Sequence, residues 1–378
     1  MSTTDREGGI ISQVMKKITL FIFLLLLLSN FAKATDSLRA YYSTVAKAEW
    51  AVCESDVSQA ASLYRSAFSY KAKPFYTDLL QALNCELQLE DLDTVTCEHY
   101  FKQILLKRGW HAVERKNADN FLNPYKSGRL GDNFEKLINR YFSSDTNVLQ
   151  HQIMSMFNED QRVRREAKYL DTCDGNRCDK NIVYTDSINN LKLLKLLQTN
   201  PEILNENVVG FFGIFHIRGL LMHHTYTSFD ANGYLLQAVK DGIFDARLYA
   251  SLFDRYYMHV LSANDTTPTG VFSDDYYGTW NLYNFLVPEN NKSLSLIFTD
   301  ERNRVVKNSR RSKIFLEDVL DSSYRKFRLQ DKGGRKDTFT LCEEQLNSML
   351  NNFKNQNIQF DYYIPNEKDF DFNFKRTE

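Results

Sequence analysis

The chain is short of the residues that punctuate a fold, with 15 glycines and 6 prolines among 378 residues. That scarcity disfavours turn-dense all-β architectures and glycine-rich phosphate loops. It also lacks an excess of one charge: 47 basic against 48 acidic residues leave a formal net charge of -1. A balanced charge argues against a bulk electrostatic grip on nucleic acid. No Gly-x-Ser-x-Gly, P-loop, dinucleotide fingerprint or His-Glu-x-x-His occurs, so serine-nucleophile, nucleotide, nicotinamide and zincin readings have no support. After the N-terminal segment, no stretch is apolar for long enough to cross a membrane. What remains is an ordinary globular composition, 43% hydrophobic and 25% charged, long enough for two or three domains.

The N-terminus carries a targeting pattern. Met15 precedes Lys16 and Lys17, an apolar run from Ile18 to Leu28, and Ala32-Lys33-Ala34. A basic region, an apolar core and an Ala-x-Ala site describe a cleaved signal peptide over residues 1–34, with the true start at Met15. The rival is an uncleaved anchor, but the run is shorter than the ~20 residues a spanning helix needs. The expectation is a periplasmic or secreted protein with no membrane span after signal removal. Six cysteines suit an oxidising compartment. Cys173 and Cys178 frame a polar, turn-like stretch and read as a local disulfide, with a metal site as the rival. A second Cys pair of zinc-finger spacing is absent. Cys53 and Cys342 either pair or stay free.

Residues 35–110 read as helical hairpins. Ala60, Tyr64 and Ala67 recur at i, i+4, i+7, as do Cys97, Phe101 and Ile104, which places each set on one helix face. Pro74 is expected to open the third helix. Ala48 and Ala60 are twelve residues apart, and so are Cys85 and Cys97. This shared spacing resembles two degenerate tetratricopeptide repeats, where small residues let paired helices approach closely. The resemblance implies that Cys85 and Cys97 face each other, where a disulfide could form. Such hairpins serve either as a groove for a partner peptide or as a cap on the next domain. Residues 111–146 read as a linker with a loop around Pro124, Gly128 and Gly131, then a short helix from Phe134 to Phe142.

The middle of the chain holds the polar residues worth testing. A helix from Asn147 to Lys168 carries Asp160, Gln161 and Arg164, and one from about Thr185 to Gln198 carries Asp186 and Asn189. An apolar helix from Val208 contains Gly210, Gly213 and Gly219 and ends in His223 and His224. A further helix from Ala246 carries Tyr249, Ala250, Leu252, Asp254 and Arg255, and Tyr277-Gly278-Thr279 follows. The order of these motifs over residues 147–320 resembles an uncharacterised bacterial family, domain of unknown function 6624. There, an Asp-Gln-x-x-Arg opening, Asp-x-x-Asn, Val-Gly, a histidine pair, Tyr-Ala-x-Leu-x-Asp-Arg and Tyr-Gly-Thr follow in that order. The family usually has Gln after that Thr, where this chain has Trp280. The resemblance implies no activity.

Two readings of these groups stand side by side. Asp160 and Arg164 at i, i+4 form either a surface ion pair or part of an inward cluster meeting Asp254 and Arg255. His216 and His223 share a helix face, and His223 diverges from His224 by about 100°. His223 could act as a general acid–base, ligate a metal with Asp186 and Asp254, or merely complement a helix C-terminus. The basic stretch Arg302, Arg304, Lys307, Arg310, Arg311 and Lys313 reads as a solvated helix face, with an anionic partner as the minority reading. Residues 321–378 read as a C-terminal extension with a linker at Asp331–Asp337, a helix from Leu341 to Phe353, and a tail that is an extended arm or disordered.

The expected fold is mainly α: helical hairpins, an irregular helical domain and a short mixed tail. The leading functional expectation is a binding or interaction module with a protein or peptide partner in the cell envelope. The alternative is a hydrolase-like enzyme, possibly metal-assisted, with His223, Asp160 and Asp254 as catalytic candidates and Gln161, Arg164, Asp186, Asn189, His224, Arg255 and Tyr277 as binding candidates. No metal ligand set is assigned and no cofactor is identified.

Overall fold

The computed structural model describes residues 35–108, 122–141, 148–169, 175–224, 228–257, 277, 282–287, 292–299, 301–317, 338–340 and 359–363. The signal segment, Cys173, Cys342, the expected linker at 331–337 and the expected helix at 341–353 lie outside these residues. The described chain is mainly helical, as expected. None of its helices is long and apolar enough to cross a membrane.

Four helices form the first unit: α1 (35–53), α2 (Val57–Tyr70), α3 (Tyr76–Glu86) and α4 (Thr94–Arg108). Aspartates start two of them. Asp56 accepts the Gln59 N–H at 2.9 Å, and Asp93 accepts the Thr96 N–H at 3.1 Å, each satisfying a donor that the first helical turn leaves open. Pro74 does not open α3; Phe75 is the N-cap, and the Pro74 carbonyl instead accepts the Lys107 ammonium. The periodic residues Ala60, Tyr64, Ala67, Cys97, Phe101 and Ile104 are all buried without remainder, and Ala48 with them. The Cys85–Cys97 bridge expected from the spacing is not made: both are buried free thiols, small apolar fillers between packed helices. Burial pushes each thiol up to about 11.

The expected linker contributes packing. A short helix α5 (122–126) and α6 (Gly131–Tyr141) follow, and Phe134 of α6 stacks on Phe101 of α4 at 4.2 Å. Next come α7 (Val148–Tyr169), α8 (Gly175–Thr199), α9 (Glu206–His224), α10 (Asn232–Lys240) and α11 (Ala246–Tyr256). Helix α8 starts about ten residues before the expected Thr185, so Cys178 lies in its first turns rather than in a loop. Helices α7, α8 and α9 pack on one another, and α4 packs on α9. Gly210 kinks α9 with φ 71° and ψ 169°, a conformation a side chain would strain. Beyond α11 the domain expected to be irregular and helical contains strands: β1 (Leu282–Val287) and β2 (Lys292–Thr299) form an antiparallel hairpin. After α12 (Glu301–Ser312), β3 (Thr338–Thr340) and β4 (Gln359–Tyr363) complete a sheet of order β3-β1-β2-β4. Alternating apolar residues such as Leu294, Leu296 and Phe298 suit a strand better than a helix. The basic face of α12 is not uniformly solvated, because Lys307 and Arg311 are buried.

Buried ions fasten the first unit to the later helices. Arg247 of α11 grips Asp78 of α3 through two bonds of 2.9 Å and also binds Asp245 at 2.7 Å. Tyr41 of α1 donates to Asp78 as well, and the Ala246 N–H donates to Tyr42 at 2.9 Å. Lys107 of α4 reaches Glu206 of α9 at 2.8 Å. Removing one member of such a set strands the others in low dielectric. Arg247→Met should therefore destabilise the protein by about 3–5 kcal/mol in urea unfolding. Gly219 of α9 faces Phe157 of α7; a Cβ there would meet the ring at 2.5 Å. Gly219→Ala should cost about 1–3 kcal/mol by overpacking, outweighing the ~1 kcal/mol gained in helix propensity. Adding Phe157→Leu should recover part of the loss.

Candidate functional site

The seam between α7 and α9 builds the site. On α9, His216, Gly219 and His223 follow at i, i+3, i+7; on α7, Phe157, Asp160 and Arg164 follow at i, i+3, i+7. Those spacings put each set on one helix face. The His216 ring stacks on Phe157 at 4.5 Å, beside the Gly219 contact. One turn and a bit further on, the His223 Nδ1 lies 3.0 Å from an Asp160 carboxylate oxygen. Asp160 is buried, and His223 keeps 22% of its side chain exposed. The His216–His223 face expected from the sequence is thus the face that meets α7.

Arg164 extends the cluster to α8. Its guanidinium binds Asp160 at 3.2 Å and Asp186 at 2.5 Å. Gln161 donates to the other Asp160 oxygen at 2.7 Å. Burial opposes ionisation of Asp160, but the hydrogen bonds from His223 and Arg164 outweigh it and hold the carboxyl down at about 2. Burial raises the Asp186 carboxyl, against the pull of Arg164. Burial also opposes the charge on Arg164, yet its two carboxylate partners keep its pKa above the usual value. Two carboxylates against one guanidinium leave a single negative charge, which a protonated His223 would cancel.

Asp160, Asp186 and His223 each offer a ligand atom, all within 4.8 Å of one another. This differs from the set weighed from the sequence, in which Asp254 took the place of Asp160. A metal would have to compete with Arg164, which already supplies a cation between the carboxylates. Among the described residues, Asp254 does not join this set. It is buried completely and accepts the Tyr277 N–H at 2.5 Å, while Arg311 donates to the Tyr277 carbonyl at 2.9 Å. Asp254 and Tyr277 therefore tie α11 to α12 rather than face His223. Arg255 donates to the Met222 carbonyl at 3.0 Å, satisfying an open acceptor at the end of α9 next to His223. The Asn189 amide donates to the Met156 carbonyl at 3.2 Å and fastens α8 to α7. The side chains of His224 and Cys178 lie outside the described residues.

The ionic lock around Arg247 carried no motif. Its signal in the sequence was small: Asp78 precedes Ala82 and Cys85 at i, i+4, i+7, so a charge sits at a core spacing.

Comparison with family models, curated proteins and solved structures finds no match.

The depressed Asp160 carboxyl sets a pH dependence. Its folded value of about 2 lies below the ordinary 3.8, so its stabilisation is full above about pH 4 and is lost as the pH falls through about 2. Asp160→Asn should flatten that acid limb when the melting temperature is followed between pH 2 and 6. It should also lower stability at pH 7.

Proposed function

We propose that the chain is an exported cell-envelope protein with hydrolase-like acid–base chemistry at His223, and that residues 147–320 belong to the family of unknown function 6624. The observation that carries the chemical reading is the 3.0 Å contact between the His223 Nδ1 and buried Asp160. A carboxylate on Nδ1 selects the tautomer that carries its proton there and leaves Nε2 as the basic nitrogen. A partly exposed Nε2 can then take a proton from a water or hydroxyl and return it to a leaving group. Arg164 and Gln161 hold the carboxylate so that it orients the ring. Asp186 shares Arg164 and fixes the guanidinium from the other side. In this account His223 is the catalytic residue, and Asp160, Arg164 and Asp186 are positioning residues.

The test is hydrolysis of p-nitrophenyl acetate and bis-p-nitrophenyl phosphate by the full chain across pH 5–9. The reading expects turnover of one of them on a pH-dependent limb. His223→Ala should remove about 10²–10⁴-fold of the rate, and Asp160→Asn should lower it and shift the limb. Absence of turnover, or unchanged turnover in a folded His223→Ala variant, overturns it.

A non-enzymatic binding module in the envelope is the second reading. It draws support from a cavity between the first unit and the later helices, whose lining joins Phe75 and Thr77 to Phe211 and Leu248. The tetratricopeptide likeness rests on the sequence spacing.

A further inference from the structure

A cavity of about 320 Å³ lies between α1 and the chain at the end of α12. That volume is within the range of small-molecule sites, which starts at about 300 Å³. Residues of α1 from Arg39 to Trp50 supply one wall, and residues from Ser312 to Glu317 supply the other. Neither element carries His223, so the cavity is separate from the seam of α7 and α9.

The α1 wall is sorted into two rows. Arg39, Ser43 and Lys47 follow at i, i+4, i+8, and Ala46 and Trp50 follow at i, i+4 beside them. Residues four apart stand one above the other on a helix. Ser43 is thus about 6 Å along the axis from each cation, a distance that an arginine or lysine stem can cover. Arg39, Ser43 and Lys47 are exposed, and their side chains take no hydrogen bond or ion pair among the described residues. What this wall offers is chiefly donors: a guanidinium, an ammonium, a hydroxyl and an indole N–H.

The facing wall is apolar and fixed. Phe315 has φ 66°, a left-handed value uncommon for a residue with a side chain. Its ring is buried and stacks on Tyr42 of α1 at 6.3 Å, with the planes 5° apart. The Ile314 and Leu316 N–H groups both donate to the Arg311 carbonyl at 3.0 Å, and the Arg311 guanidinium donates to the Glu317 carbonyl at 2.6 Å. Phe315 and Leu316 therefore have little freedom to collapse into the space. Glu317, the acid in the lining, belongs to this wall and not to the cationic row.

We infer that this cavity binds a small aromatic carboxylate, its carboxylate held by Arg39 and Lys47 over Ser43 and its ring against Trp50, Phe315 and Leu316. A guanidinium matches a carboxylate through two parallel N–H bonds, and the aromatic side chains supply apolar area for the body of the ligand. A neutral or cationic ligand gains nothing from the cationic row.

Isothermal titration of the full chain at pH 7 with 3-phenylpropionate, 3-phenylpropanol and 3-phenylpropylammonium tests it. The carboxylate should bind about tenfold or more tightly than the alcohol, as charge-assisted hydrogen bonds imply, and the ammonium should bind least. Arg39→Gln combined with Lys47→Gln should bring the carboxylate to the affinity of the alcohol; both positions are exposed, so the fold should not depend on them. Lys192→Gln combined with Lys195→Gln removes two exposed cations of α8 instead and should leave the affinity as it was, which separates this site from the general charge of the molecule. Ser43→Trp, which fills the cavity from α1, should weaken all three compounds. No heat with the carboxylate, equal affinity for the three compounds, undiminished carboxylate binding in the Arg39→Gln/Lys47→Gln variant or in a folded Ser43→Trp variant, or an equal loss in the α8 variant overturns the inference.

Discussion

The close approach of α9 to α7 governs what the polar cluster can be. Gly219 leaves α9 without a side chain where the Phe157 ring lies, and His216 stacks on the same ring. Helices that meet this closely bring their flanking residues into hydrogen-bond reach, so His223 meets Asp160 at 3.0 Å. A larger residue at 219 would widen the seam and separate the pair. The apolar contact thus comes first, and the acid–base geometry follows from it.

Burial then makes the cluster interdependent. Asp160 is out of water and is kept ionised by Arg164, Gln161 and His223 acting together. Arg164 is shared with Asp186, so α7, α8 and α9 are linked through one guanidinium. Buried ion networks contribute modestly to net stability but strongly to which arrangement is adopted, since a lost partner leaves an uncompensated charge. The Arg247–Asp78–Asp245 lock does the same between α3 and α11, fixing the first helical unit on α11. The cavity beside Glu206 exists because that docking leaves space between aromatic walls.

Much of the helical architecture was legible from periodicity. The buried i, i+4, i+7 sets at Ala60 and Cys97 and the helices carrying Asp160 and His223 lie where the pattern put them, while the helix carrying Asp186 starts about ten residues earlier than expected. The cluster was legible in part: Asp160, Gln161, Arg164, Asp186 and His223 meet, while Asp254, Asn189, Arg255 and Tyr277 make other contacts among the described residues. A carboxylate four residues from a guanidinium, and two histidines seven apart, give each helix face but not which faces meet. Asp254 looked equivalent to Asp160 in one dimension; in space it accepts a backbone N–H from Tyr277 instead. The strands after residue 281 are hard to read from sequence because their alternating segments are short and directly follow a long run of helical periodicity. Buried Arg311 was missed because a basic stretch reads as solvated unless the carbonyls that will receive it, those of Tyr277 and Glu317, are known. The ionic lock joins residues up to 169 positions apart, a separation over which local spacing carries no information.

The decisive measurement is the protonation pattern of the His223 ring, read by nitrogen NMR on the full chain labelled at histidine. If the α7–α9 seam sets the site, neutral His223 carries its proton on Nδ1, and Asp160→Asn shifts that resonance and redistributes the tautomers. A His223 ring protonated on Nε2 when neutral, or one whose nitrogen shifts ignore Asp160→Asn in a folded variant, would contradict the account.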